Sequence, residues 1–82
     1  MLMLSLTKSK GKALLEFEKL SIETEDTVDV EEWAKSIGVE RTYCYRHLTY
    51  WRNARVIEET LPSRYGLTAI GREMLPELKK LL

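Results

Sequence analysis

Gly38 divides the most informative stretch of the chain. Before it, Val30, Trp33, Ala34 and Ile37 recur at three- and four-residue spacing, the stripe of a short amphipathic helix. Asp29 stands where an N-cap belongs and Glu32 follows three residues on, the pattern of a capping box. Glycine takes the left-handed conformation that ends a helix, so Gly38 closes this one after about two turns. A longer helix starts at Val39 and Glu40 and runs to about Ala54 or Arg55. On its wheel Cys44, Leu48 and Trp51 line one face at i, i+4 and i+7. The opposite face holds Thr42, Arg46, Thr49 and Asn53, flanked by Tyr43, Tyr45 and Tyr50, and it contains no carboxylate. Two helices joined by a glycine-containing turn, the second the longer, form the helix-turn-helix arrangement.

The flanking sequence supplies the rest of a small domain. Ala13, Leu14, Phe17 and Leu20 predict a first helix over about residues 8–20, capped by Thr7 or Ser9 and weakened in its first turn by Gly11. An acidic connector, residues 21–26, leads to Thr27-Val28, a short strand. Residues 56–60 and 64–68 are β-capable runs separated by Leu61-Pro62-Ser63 and predict a hairpin. Thr68 caps a last helix with Ile70, Met74, Leu75, Leu78, Leu81 and Leu82 as its apolar residues; Pro76 kinks or restarts it. The expected fold class is mainly α with a small β-hairpin, an α+β chain. It forms one domain over residues 1–82, with the helix-turn-helix at about 29–55, the hairpin at about 56–68 and the last helix at about 69–82.

Charge bears on the choice of partner. Thirteen basic residues balance 13 acidic ones, and nucleic-acid binders usually carry a basic excess. The charges are, however, segregated along the chain. Residues 21–32 hold six acids and no base, whereas residues 33–66 hold six bases (Lys35, Arg41, Arg46, Arg52, Arg55, Arg64) against three acids. A neutral chain of this kind still presents a basic face if the acidic segment points elsewhere. The single cysteine excludes an internal disulfide and fits a reducing compartment. The opening apolar run is too short for a signal sequence, and no run reaches membrane-spanning length, so a cytoplasmic, nucleoid-associated location is expected. Glutamine is absent and asparagine occurs once, while Glu, Lys and Arg abound. That is a thermophile's bias and suits an archaeal or viral source.

Taken together, these segments resemble the winged helix-turn-helix superfamily, in the style of MarR- and ArsR-type regulators. Trp33-Ala34 and Ile37-Gly38-Val39 match its second helix and turn, and Arg46-His-Leu48 with Trp51 matches the spacing of its recognition helix. Val56-Ile57 stands at the first wing strand, and Tyr65-Gly-Leu-Thr-Ala-Ile-Gly71 matches the pattern that ends the wing. Arg55 departs from the pattern by standing where the family commonly has glycine, and the wing is short.

The resemblance implies a three-helix core plus wing and C-terminal helix. It also implies double-stranded DNA binding by a homodimeric transcription regulator, with the third helix in the major groove and the wing on the backbone or minor groove. Arg46 suits guanine O6 and N7, and Arg41 near the helix start suits the same atoms or a phosphate; Thr42 and Thr49 suit base edges and thymine methyls. Tyr43, Tyr45 and Tyr50 suit phosphate oxygens, and Arg64 on the wing suits a minor-groove or phosphate contact. Lys8, Lys10 and Lys12 add backbone contacts if the first helix's start approaches the duplex. The last helix and the opening apolar segment are the candidate dimer surfaces.

Other features have plainer readings. Cys44 and His47 are three residues apart, but two ligands make no zinc site, and Cys44 falls on the apolar face. Trp33 and Trp51 read as core anchors, and the acidic run as a solvated segment turned away from the duplex. No nucleophile–base pair, phosphate loop or metal cluster is evident, so the chain reads as a non-enzyme without a cofactor. Two rival functions remain: a winged-helix protein-interaction module, and an architectural protein that binds DNA without sequence preference.

Overall fold

The computed structural model describes residues 8–81. Along the chain run α1 (Lys8–Glu23), β1 (Val28–Asp29), α2 (Val30–Ile37), α3 (Arg41–Asn53), β2 (Ile57–Leu61), β3 (Arg64–Leu67) and α4 (Ala69–Leu81). The chain is thus mainly helical with a small antiparallel sheet. The first helix extends three residues past the expected Leu20, with Ser21 buried on its inner side. Ser9 lies inside the helix rather than capping it. The other cap candidate, Thr7, lies outside the described residues, as do the opening apolar run and Leu82.

Two indoles lock the helices together. Trp33 and Trp51 are both buried, and a buried indole N–H needs an acceptor. Trp33 donates to the Ala13 carbonyl oxygen at 2.7 Å, and Trp51 to that of Lys10 at 3.2 Å. Both acceptors belong to α1, so α2 and α3 are each pinned to it by a directional bond. Phe17 meets Trp33 edge-on at 4.9 Å, and Leu14, Leu48, Val56, Leu75 and Leu78 complete the core.

The two ends of α2 differ. Asp29 has the extended backbone of an N-cap, but its side chain makes no capping bond, so the expected box is not formed. At the other end Gly38 adopts φ 73°. Its N–H and that of Val39 donate to the Lys35 and Ala34 carbonyls, closing the helix as a Schellman motif. The same device ends α3 around a residue poorly suited to it. Arg55 has φ 63°, with its own N–H on Arg52 O and that of Val56 on Trp51 O.

The sheet is larger than a hairpin, because β1 joins it in the order β1-β3-β2. Val28 pairs with Tyr65 and Asp29 with Arg64, while Ile57 pairs with Leu67 and Glu58 with Gly66. The β2–β3 register slips between Glu59 and Leu61, beside the Pro62-Ser63 turn. After the sheet, Thr68 caps α4 as expected: its hydroxyl accepts the Gly71 N–H at 3.0 Å and donates to Arg55 O at 2.5 Å. One side chain therefore starts α4 and holds the exit of α3. Gly71 sits so close to Val56 that a Cβ there would run into the Val56 carbonyl oxygen. Pro76 lies within α4, which neither stops nor restarts at it.

Candidate nucleic-acid interface

The buried residues of α3 are Cys44, His47, Leu48 and Trp51. This inward set fixes the helix's rotation, so Thr42, Tyr43, Tyr45, Arg46, Thr49, Arg52 and Asn53 are exposed. Thirteen helical residues make a rod about 20 Å long, and the outward face carries hydroxyls, guanidinium groups and phenol rings but no carboxylate. Of the eight residues expected to contact DNA, seven share this helix: Arg41, Thr42, Tyr43, Tyr45, Arg46, Thr49 and Tyr50.

Arginines and tyrosines are interleaved on the surface. The Arg46 guanidinium lies 5.5 Å from the centre of the Tyr43 ring, and that of Arg41 lies 6.0 Å from Tyr45. Stacking of this kind orders a long side chain while leaving its N–H fork directed outward. Among the described residues Arg46 has no ion-pair partner. Arg41 is different: Glu31 approaches it at 3.9 Å, both side chains being exposed. The acidic segment is therefore not wholly turned away, because the first turn of α2 brings one carboxylate to the start of α3.

Arg64 stands apart from the other seven. It opens β3, half-buried, and its Nε donates to Thr27 Oγ1 at 2.9 Å and its Nη2 to Thr27 O at 3.3 Å. Its guanidinium is thus committed to the segment that precedes β1. The hairpin's outer strand instead exposes Glu58, Glu59, Thr60 and Leu61.

His47 and Cys44 are core groups. Burial pushes the Cys44 thiol up to about 11, which keeps it protonated and unreactive. His47 is 5% exposed, packed between Trp33 and Tyr43, and its Nδ1 has no hydrogen-bond partner among the described residues. Burial, and then the nearby Lys10 ammonium, hold its pKa below the usual imidazole value. No group of three or more potential metal ligands occurs among the described residues. No described helix is long and apolar enough to cross a membrane.

Sequence reasoning takes Arg52 as a surface or phosphate-contacting group and does not anticipate that its guanidinium lies 5.8 Å from the Tyr65 ring, linking α3 to the sheet. Its signal is nonlocal, since the ring comes from another element. A scan against protein-family models finds none that matches this chain, and neither curated proteins nor solved structures give a match.

Proposed function

We propose that this chain binds double-stranded DNA as a sequence-reading transcription regulator of winged helix-turn-helix type, with α3 in the major groove. The observation that carries this reading is the outward face of α3, which is fixed to α1 through Trp51, free of carboxylates and centred on Arg46, an arginine with no ion-pair partner among the described residues. Arg46 donates a bidentate pair to guanine O6 and N7, and Thr42 and Thr49 meet neighbouring base edges or thymine methyls. Tyr43, Tyr45 and Tyr50 bond phosphate oxygens, fixing register without reading sequence. The hairpin is a minor contributor, since Arg64 is engaged on Thr27 and β2 exposes two glutamates.

The regulator acts as a homodimer, matching a two-fold site with half-sites about one helical turn apart. Leu75 and Leu78 of α4 are used in its own core. Among the described residues, Leu81 and Ile70 on α4 and Ile22 on α1 are exposed apolar side chains open to a partner, at 61%, 55% and 74%. A Lys79–Glu18 pair at 3.2 Å holds those two helices side by side. An elution mass that stays monomeric across micromolar concentrations rules the dimer out.

Selection of bound duplexes from a random pool at two salt concentrations tests the DNA reading, with Arg46→Ala alongside wild type. A short two-fold motif is expected, bound about 1–3 kcal/mol more weakly by the variant, which also relaxes preference at one base pair. Salt-sensitive binding without a motif indicates an architectural role instead. Absence of binding at low salt removes DNA from the account. The exposed rings of Tyr43 and Tyr45, 48% and 39% accessible, would then favour a protein-interaction surface.

A further inference from the structure

The first turns of α1 lie against one flank of α3. Besides the Trp51 bond to the Lys10 carbonyl, the Lys10 ammonium sits 5.0 Å from the centre of the Tyr50 ring. Ser9 and Lys12 share with His47 a cleft of about 400 Å³. Tyr43 in turn packs on His47, ring centres 5.7 Å apart. Tyr43, His47 and Tyr50 stand at i, i+4 and i+7, so they form a row along the boundary between the buried and outward faces. Two lysines from another helix are thus brought to that row, one at Tyr50 and one at His47.

The charge on the two flanks of α3 is unequal. Residues 8–12 contain three lysines and no acid. The acid that does line the cleft, Glu16, is 3.3 Å from Lys19, which offsets it. On the other flank Arg52 and Arg55 share a hollow with Glu58 and Glu59, and Arg41 lies 3.9 Å from Glu31. Acids and bases stand together there, and among the described residues the start of α1, with three lysines and no acid, is the more cationic flank.

A helix about 10–12 Å across fills a major groove about 12 Å wide, so a phosphate strand borders each of its flanks. We propose that the start of α1 is the main phosphate-contacting element of this protein. Lys10 and Lys12, together with the Tyr43 and Tyr50 hydroxyls, bind the backbone of one DNA strand beside the groove that α3 enters. This rests on the DNA reading above and assigns to α1 the task that the resemblance gives to the wing. The two ammonium groups contribute affinity without sequence preference, by releasing counterions condensed on the duplex.

The test is the slope of log binding constant against log salt concentration. It is measured on the selected motif for wild type, Lys10→Ala/Lys12→Ala, Lys10→Arg/Lys12→Arg and Arg64→Ala. Loss of two phosphate contacts is expected to reduce the slope by about 1.8, leaving the preferred motif unchanged. The arginine pair retains the wild-type slope, and Arg64→Ala changes it little. A wild-type slope in the double alanine variant overturns the proposal while leaving the DNA reading intact. A larger drop from Arg64→Ala than from the lysines also overturns it, by returning the backbone contact to the wing. A wild-type chain that binds no duplex at any salt removes this proposal and the DNA reading together.

Discussion

Arg55, Gly38 and Gly71 illustrate three different demands on a single position. Gly38 has φ 73° with nothing near its missing side chain, so its conformation is what calls for glycine. Arg55 has φ 63° and occupies the equivalent place at the end of α3, but it carries a side chain. An L-residue pays roughly 1–2 kcal/mol there, partly offset by glycine's greater freedom when unfolded. Arg55→Gly is therefore expected to raise stability by about 0.5–1 kcal/mol, read as a rise of a few degrees in the thermal midpoint. A lower midpoint would mean that the arginine's own contacts outweigh the backbone strain. At Gly71 the demand is space, because the Val56 carbonyl fills the volume of a Cβ. Gly71→Ala should cost about 1–3 kcal/mol in urea denaturation, as overpacking does. A neutral result would show that α4 can slide away from Val56.

At the scale of elements, Thr68 joins two helices through one hydroxyl, accepting from Gly71 N–H and donating to Arg55 O. Thr68→Ala removes both bonds and is expected to cost about 1–2 kcal/mol, with Thr68→Ser recovering most of it. Equal losses for Ala and Ser, measured by thermal unfolding, would place the effect in the methyl group instead. This cap was legible in the sequence, as were Gly38 and the two faces of α3, because each depends on residues within a turn or two. The pairing of β1 with β3 was not. It joins Val28 to Tyr65, distant in sequence, through a strand of two residues, too short for alternation to register. The engagement of Arg64 on Thr27 was hidden for the same reason. Its position beside a Pro-containing turn suggests a solvent-facing wing residue, but Thr27, which holds it, arrives through that nonlocal pairing. Likewise Asp29 carries the sequence signature of a capping box, yet as a residue of β1 it is constrained by its pairing with Arg64, and its side chain makes no capping bond.

For the molecule as a whole, the only histidine of the sequence couples core packing to pH. His47 lies beneath Tyr43 at the joint of α1 and α3, with Nδ1 unpartnered among the described residues. Burial and the Lys10 charge both disfavour its protonation in the folded chain. In the unfolded chain the imidazole takes up its proton near the ordinary value of about 6.5. Below that pH the unfolded state therefore binds more protons, so stability rises with pH through this window and is lost as pH falls toward the depressed folded value. The unfolded-state imidazole, at about 6.5, falls between pH 5.5 and 7.5, the interval in which the effect is read. The urea midpoint of the wild-type chain is expected to fall over that interval on acidification, while His47→Leu flattens the dependence. A wild-type midpoint that is level from pH 7.5 to 5.5 would show that the imidazole gains solvent when charged at no cost to packing. A slope that persists in His47→Leu would assign it to another group. Because His47 packs on Tyr43 and lines a cleft with Lys12 of α1, the loosening should begin at that joint. Amide exchange in residues 8–14 and 43–51 should therefore accelerate on acidification, beyond the ordinary effect of pH on exchange chemistry, before it does in the sheet.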